Sequence, residues 1–154
     1  MKRREFNFRL ASITGFGVGI ASGLMPISVL ANWPTAAFDT ETTEDAANAL
    51  FGESGMIETD AITFKAPDIA ENGRVVPVNI NVGLNNIEEI ALMVPENPAP
   101  LVSTFVMSNQ SNVAVGTRIK MGKTSPLVAV VKADGKVYTA SSKEIKVTIG
   151  GCGG

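Results

Sequence analysis

From residue 61 to the end of the chain, apolar residues recur at every second position over short segments, a period typical of half-buried β-strands. The clearest segment is 75–82, where valine and isoleucine alternate with proline and asparagine. Pro77 within it predicts an edge strand or a bulge, because proline donates no backbone hydrogen bond. Segment 127–132 is apolar on both faces, which predicts a central strand. The pattern predicts strands at residues 61–66, 75–82, 87–94, 101–107, 113–121, 127–132, 136–140 and 143–149.

Turn-forming residues separate these segments. Asn72-Gly73 predicts a turn before the 75–82 strand, and Asp134-Gly135 predicts a tight β-hairpin. The proline-rich residues 95–100 end the third strand. Because no helical pattern lies between the strands, the predicted fold class is all-β, an immunoglobulin-like antiparallel β-sandwich over residues 56–149. A β-barrel is the alternative.

One helical segment precedes the strands. Residues 43–51 are rich in alanine, Thr42 is a capping residue before them, and Gly52 is a stop signal after them. Glu44 and Asp45 lie in the first turn, where carboxylates complement the helix dipole. The sequence therefore predicts a short N-terminal helical segment, residues 32–55, ahead of the sandwich.

The first 31 residues have the pattern of an export signal. Arg3 and Arg4 form a basic pair near the start, and an apolar, glycine-containing stretch follows over residues 10–30. This is the twin-arginine pattern of bacterial export, and cleavage is predicted after Ala31. A transmembrane anchor is the alternative, which the glycines and Pro26 disfavour. The predicted location is the periplasm, where thiols are oxidised, and because this route exports folded proteins, we expect a partner to cross with the chain.

The composition excludes several kinds of site. The chain of 154 residues has no histidine and one cysteine, so it has neither a Ser-His-Asp or Cys-His arrangement nor the residues for a thiolate metal site or an internal disulfide. Its net charge of -2 argues against nucleic-acid binding. Acids predominate over residues 39–96 and bases over residues 118–146. This distribution indicates a dipolar surface that orients protein partners or an anionic ligand. The alternative is that the two segments form solvated faces that fold back on each other. We interpret adjacent carboxylates such as Glu88-Glu89 as solvated surface, because neighbours on a strand point to opposite faces.

The last five residues place the single cysteine between two glycine pairs: Gly150, Gly151, Cys152, Gly153 and Gly154. Glycine leaves the backbone free and the tip thin, and residues 150–152 extend the thiol about 10 Å beyond Ile149, at roughly 3.3 Å per residue. No histidine takes the thiol proton, and the nearest cations in sequence, Lys143 and Lys146, lie several residues back. A flexible arm with an unactivated thiol indicates a carrier rather than a catalytic nucleophile. A frayed end with an incidental cysteine is the alternative.

Several segments resemble the SoxY family of the thiosulfate-oxidation system. They are VTIGGCGG at residues 147–154, KAPDIAENG at 65–73, VVPV at 75–78, NPAP at 97–100 and TRIKM at 117–121. The resemblance covers essentially the whole chain, its C-terminal motif is highly specific, and the twin-arginine leader fits it as well. It implies an immunoglobulin-like fold, in agreement with the strand pattern.

The resemblance also implies a role. Cys152 is then the covalent attachment point for substrate, on a swinging arm formed by Gly150, Gly151, Gly153 and Gly154. The implied partners are SoxZ, which forms a heterodimer with the carrier, and three enzymes. The haem protein SoxAX joins thiosulfate to the cysteine as a cysteine S-thiosulfonate, the metal-dependent hydrolase SoxB releases sulfate, and the sulfane dehydrogenase SoxCD oxidises the remaining sulfur. The carrier itself is then not an enzyme and has no cofactor or metal, only sulfur substrate on Cys152, with no nucleic-acid partner and no stable membrane insertion.

Two other functions stay open at this point. Ubiquitin-like sulfur carriers also end in Gly-Gly and hold sulfur as a C-terminal thiocarboxylate, but the export signal, the strand pattern and the internal cysteine disfavour that class. The other is an exported structural β-sandwich that dimerises through Cys152. In the first of these functions the sulfur is not held by Cys152, and in the second Cys152 forms a disulfide between two chains.

Overall fold

The computed structural model describes residues 34–52 and 55–148 of the chain. Two helices come first in this part, α1 (Thr35–Phe38) and α2 (Thr43–Phe51). The strands follow as β1 (Met56–Glu58), β2 (Ile62–Lys65), β3 (Ile69–Ala70), β4 (Val76–Val82), β5 (Ile87–Met93), β6 (Leu101–Gln110), β7 (Val113–Ile119), β8 (Val128–Ala133), β9 (Lys136–Ser141) and β10 (Lys146–Val147).

Helix α2 begins and ends at the predicted residues. The Thr42 side-chain oxygen accepts a hydrogen bond from the Asp45 backbone N–H at 3.1 Å, which satisfies one of the free donors of the first turn. Gly52 follows the helix with a φ of 80°, a left-handed value that favours glycine. The predicted helix is therefore confirmed. The sequence does not reveal α1, because four residues are too few to show a helical period.

The strands form two main sheets and one short pair. The five-stranded sheet has the order β1-β9-β8-β5-β6, the three-stranded sheet has the order β2-β4-β7, and β10 pairs with β3. Strand β8 is central, as its apolar sequence predicts. Asp134 (φ 50°) and Gly135 (φ 68°) connect β8 to β9, and two left-handed residues in a row are the geometry of a type I′ hairpin turn. The predicted hairpin and the all-β sandwich are both confirmed.

The central strands β5 and β8 of the five-stranded sheet are largely buried on both faces. Ile90 and Leu92 of β5 belong to the core that also contains Ile80 of the three-stranded sheet. The alternate residues of β5, Ala91 and Met93, pack in a second core with the alanines of α1 and α2. Burial of a side chain as large as Ile90, Leu92 or Met93 stabilises the folded chain by about 1.5–3 kcal/mol. The helices therefore cover one face of the sheet, and the three-stranded sheet covers the other.

Strand β4 differs from its prediction in position but not in pattern. Its residues alternate between buried and exposed, as the sequence indicates. It is nevertheless the middle strand of its sheet rather than an edge strand. Pro77 is tolerated because the pairing with β2 stops where Lys65 faces Asn79, so Pro77 has a register partner only in β7, which is Arg118. The proline thus lies where this central strand is paired with β7 but not with β2.

The C-terminal strand is shorter than predicted, and its pairing is parallel. The prediction is one strand over residues 143–149, whereas β10 is two residues long and follows an isolated bridge between Ser125 and Ile145. Ile149, predicted to face inward, lies outside the described residues. Strand β10 runs parallel to β3, and β1 runs parallel to β9. Strands β1 and β3 are too short to show a period of two, so the sequence does not reveal them.

Glu88 and Glu89 in β5 are partly buried rather than fully solvated. A β-bulge between Ile87 and Glu89 interrupts the alternation of faces on which that interpretation rests. Glu88 forms an ion pair with Lys132 at 3.0 Å and accepts a hydrogen bond from the Gly135 N–H, and these contacts lower the pKa of its carboxyl group. Burial raises the pKa of Glu89 by more than the charge of Lys132 lowers it.

Replacing Glu89 with Gln is expected to stabilise the protein at neutral pH but not at acid pH. The pKa of Glu89 lies above the ordinary value of 4.5, so ionisation costs more in the folded chain than in the unfolded chain. That penalty is present above the folded pKa and disappears as the pH falls below 4.5. Thermal unfolding measured across this range should show a higher Tm for Glu89→Gln at pH 7 and no difference in acid. Glu58→Gln is the matched control, and a pH-independent effect at Glu89 would contradict the assignment.

Candidate functional site

The predicted site residues lie outside the described part of the chain. Those beyond its last residue, Thr148, are Gly150, Gly151, Cys152, Gly153 and Gly154, and those before its first residue, Pro34, are Arg3, Arg4 and the predicted cleavage position Ala31. The described contacts define the base from which the predicted arm leaves the sandwich. Residues 145–148 are called the arm root below.

Backbone hydrogen bonds hold the arm root on two sides. Ile145 and Ser125 exchange both of their backbone bonds, at 2.9 and 3.2 Å. The Lys146 N–H donates to the Asp68 carbonyl at 3.0 Å, and the Thr148 N–H donates to the Ala70 carbonyl at 3.2 Å. The arm root is therefore paired with β3 and its preceding loop on one side, and with the loop after β7 on the other.

The backbone N–H of Val147 in the arm root bonds to a side chain instead of to either neighbouring backbone segment. The Val147 N–H donates to Thr124 Oγ1 at 3.0 Å. In a parallel pair, alternate N–H groups point away from the neighbouring strand, and at Val147 the threonine hydroxyl takes the place of another strand. All four residues of the arm root thus donate their backbone N–H to a fixed acceptor.

The turn at Asn72-Gly73 packs directly against the arm root. Asn72 Oδ1 accepts from the Arg74 N–H at 3.0 Å, and the Asn72 carbonyl accepts from the Val75 N–H, so the predicted turn is confirmed. The Gly73 carbonyl accepts from the Met121 N–H at 2.7 Å. A Cβ atom at Gly73 would overlap the backbone carbonyl of Met121 and lie 2.9 Å from Val147 Cγ1. Glycine is required here by close approach of the backbone.

Asn97 and Ser125 fix the loop that supports the arm root. Asn97 donates to the Lys120 carbonyl and accepts from the Gly122 N–H, both at 2.9 Å. Ser125 is fully buried, and its hydroxyl donates to the Pro126 carbonyl at 2.9 Å while accepting from the Glu96 N–H at 3.4 Å. These bonds connect the loop after β7 to the proline-rich turn after β5.

Segments with SoxY resemblance meet at this point of the fold, although they are far apart in the sequence. Residues 65–73, 97–100, 117–121 and 147–148 all contribute contacts at the arm root or its supporting loop. The sequence pattern does not predict that Thr124 and Ser125 bond to the arm root. Their signal is the short polar run Lys123-Thr124-Ser125-Pro126 between two apolar strands, since such hydroxyls often bond to nearby backbone groups.

A cleft of about 390 Å³ lies beside the arm root. Its apolar wall includes Ile62 and Phe64 of β2 and the adjacent Pro67, and its polar wall includes Ser142 and Lys143. The cleft is lined by the residues that immediately precede the arm root in the sequence. It therefore belongs to the same end of the sandwich as the base of the arm.

The described residues around the arm root offer little chemistry of their own. Lys143 and Lys146 are exposed to solvent, which screens their charge. Within residues 34–52 and 55–148, no three His, Cys, Asp or Glu side chains come together as metal ligands. No helix in the same ranges is long and apolar enough to cross a membrane. These described residues hold the arm root in place and do not form a catalytic centre among themselves.

Gly73→Ala is expected to lower the free energy of unfolding by about 2–3 kcal/mol, the cost of forcing an added atom into a packed site. The neighbour is a backbone carbonyl, which no change of rotamer moves away. Gly55→Ala is the matched control, because a Cβ atom at Gly55 meets nothing within 4 Å. Urea denaturation of both variants measures the difference, and equal stability of the two would contradict the close approach.

Thr124→Val is expected to expose the Val147 N–H to faster hydrogen exchange, because valine keeps the shape of threonine but cannot accept a hydrogen bond. Thr124→Ser retains the hydroxyl and should keep exchange slow. Loss of one such bond costs about 1–2 kcal/mol. Hydrogen exchange followed by mass spectrometry on a peptide that contains residues 145–148 distinguishes the variants. Equal exchange in the valine and serine variants would show that the hydroxyl does not hold the arm root.

Comparison with known proteins agrees with the structural observations. A family model described as sulfur oxidation protein SoxY matches residues 47–152, which is more than half of the chain. A solved structure of the sulfur carrier protein SoxY from Chlorobium limicola f thiosulfatophilum is 42% identical, with a TM-score of 0.62, and the match covers 68% of this chain and 94% of that one. A hypothetical protein from Pyrococcus horikoshii OT3 is 19% identical over 60% of this chain and 94% of its own, with a TM-score of 0.45. A search of curated proteins finds no significant match. The chain belongs to the SoxY family of sulfur oxidation proteins.

Proposed function

We propose that this chain is a periplasmic carrier that holds thiosulfate-derived sulfur covalently on Cys152 and presents it to the enzymes of the Sox system. Membership of the SoxY family supports a carrier role, because the 42% identical relative is named a sulfur carrier protein. The observation that carries the proposal is the extent of the family match, which includes the only cysteine of the chain.

Loading is an oxidation that joins two sulfur atoms. The Cys152 thiolate and the sulfane sulfur of thiosulfate form an S–S bond, and the two electrons released pass to the haem protein SoxAX. The product is a cysteine S-thiosulfonate, Cys–S–S–SO3⁻. The chain has no histidine to activate the thiol, so deprotonation and electron transfer both belong to the partner.

Unloading is a hydrolysis. Water attacks the terminal sulfonate sulfur of Cys–S–S–SO3⁻, and the bond between that sulfur and the neighbouring sulfane sulfur breaks. The products are Cys–S–SH and hydrogen sulfate. This step belongs to SoxB. SoxCD then oxidises the outer sulfur of Cys–S–SH to Cys–S–SO3⁻, with the oxygen atoms taken from water and the electrons accepted by SoxCD. SoxB hydrolyses this product to the free cysteine and sulfate. Each of these steps requires the carrier only to place Cys152 and its attached sulfur inside the enzyme that acts next.

The contribution of this chain's own residues is to position the thiol and its cargo. The hydrogen bonds of the arm root define where the arm begins, and Gly150 and Gly151 leave the segment before the thiol without side chains. A carrier of this kind is not an enzyme and needs no cofactor besides its covalent cargo. SoxZ is the proposed heterodimer partner and crosses the membrane with the carrier through the twin-arginine route.

Intact-mass measurement of the periplasmic protein tests the proposal. During thiosulfate turnover, the mature chain should begin at Asn32 and gain the mass of one thiosulfate unit. Cys152→Ser should carry no adduct and should abolish thiosulfate oxidation in cells, and iodoacetamide should block loading of the unmodified protein. An adduct that persists on Cys152→Ser would indicate a thiocarboxylate carrier. Thiosulfate oxidation that continues in Cys152→Ser, with loss only of a disulfide-linked dimer, would indicate a structural protein.

A further inference from the structure

The position of the arm root limits where an enzyme can bind the carrier, and this argument rests on the proposed function. Cys152 lies four residues beyond Thr148, the last described residue. Fully extended, they span about 14 Å at most. An enzyme that works on the thiol within its own interior therefore has to place its surface against the residues around Thr148.

Two exposed aliphatic side chains lie at that place. Ile69 is 55% exposed and is the register partner of Lys146 in the arm root. Val75 is 52% exposed, and its N–H bonds to the Asn72 carbonyl in the turn that packs against the arm root. Single exposed aliphatic residues are common on protein surfaces. Two of them beside the one point from which the arm extends form a ready contact for a partner.

The charges nearby are mainly positive. Lys146 is exposed beside Ile69, and Lys120 is exposed one residue beyond the Val76–Ile119 pair that follows Val75. Arg118 is exposed opposite Pro77 on the same end of the three-stranded sheet. The exposed acids of this region include Asp68, Glu71 and, immediately before the arm root, Glu144.

We infer that Ile69, Val75, Lys146 and Lys120 form a docking collar around the base of the arm. Its occupant is a partner enzyme whose channel mouth has an apolar rim with acidic residues beside it. The apolar pair supplies affinity, because buried aliphatic contacts at an interface centre carry much of the binding energy. The lysines guide the encounter, because complementary charge acts mainly on the association rate.

The other exposed aliphatic residues do not fit this role. Val106 lies on β6, an edge strand of the five-stranded sheet, and Met56 and Ile57 lie on β1 at the opposite edge of that sheet. None of these strands contributes a hydrogen bond to the arm root. Ile57 and Val106 serve as internal controls, because they are the same residue types as Ile69 and Val75 and are likewise exposed, Ile57 at 46% and Val106 at 81%.

Enzyme kinetics on a chemically loaded carrier test the inference. Tetrathionate loads Cys152 without any enzyme, because the thiolate displaces thiosulfate and leaves Cys–S–S–SO3⁻ on the protein. The substrate is the mature full-length chain in complex with SoxZ, and the probe is the sulfate-releasing hydrolase SoxB, with sulfate as the measured product. Ile69→Ser/Val75→Ser should raise KM about tenfold with kcat nearly unchanged, since a contact outside the reacting centre contributes to binding alone. Ile57→Ser/Val106→Ser should change neither value by more than about twofold.

The charged part of the collar has its own measurement. Lys146→Glu should raise KM at low salt and show little effect at high salt, because salt screens exposed charges. Lys136→Glu, on the far hairpin, is the control for net charge. A KM that does not change in either collar variant would overturn the inference. Loss of SoxZ from the purified complex of Ile69→Ser/Val75→Ser would also overturn it, since the collar would then be the SoxZ interface.

Failure of the inference and failure of the proposed function give different results. If the unmodified loaded carrier releases no sulfate with SoxB, the proposed function fails. If it releases sulfate and the collar variants behave like the controls, the function stands and the docking collar is wrong. Thermal unfolding of each variant shows whether the fold is intact, and Ile69→Thr/Val75→Thr repeats the test with better strand formers.

Discussion

The close approach of Gly73 to the backbone of Met121 is the contact on which the base of the arm depends. It joins the turn before β4, the end of β7 and the side chain of Val147 at one point, with a hydrogen bond of 2.7 Å from the Met121 N–H to the Gly73 carbonyl. Strand β10 is only two residues long, and a pair of two-residue strands has little stability of its own. Its position therefore comes from these contacts and from Thr124 rather than from strand pairing alone.

The two sheets differ in a way that bears on the arm. The central strands of the five-stranded sheet are buried on both faces, by the helices and by the three-stranded sheet. The outward face of the three-stranded sheet is exposed along β4 and carries proline and asparagine there. The arm root adjoins the end of this uncovered sheet, where Pro77 faces Arg118. A partner approaching the base of the arm thus meets the exposed Ile69 and Val75 beside polar and basic residues, and it does not have to displace the helices.

Much of the sandwich can be predicted from the sequence, because its long strands and its main helix carry local signals. The alternation along β4, the doubly apolar β8 and the cap at Thr42 each depend on residues close together in the chain. The contacts at the arm root do not. Val147 donates a backbone hydrogen bond to Thr124, and its side chain packs beside Gly73. Neither contact leaves a periodic pattern in the sequence. The same reason explains the missed parallel pairs, since β3 and β10 are two residues long each. Cys152 was predicted from its setting between glycines, and it lies outside the described residues, so its geometry stays a prediction.

A short arm on a fixed base has a consequence for how the proposed partners share the carrier. Because the reach from Thr148 to Cys152 is about 14 Å at most, the proposed function requires every enzyme that acts on the thiol to bind over the same small area. Binding of one enzyme then excludes the others, and the cargo advances only when the complex dissociates. A small contact with two aliphatic side chains suits this requirement, since transient interfaces are small and tight ones would hold the carrier in a single enzyme. On the proposed function, the order of the reactions is then set by which enzyme recognises the current sulfur species in its interior, because the surface around the arm root is the same for all of them.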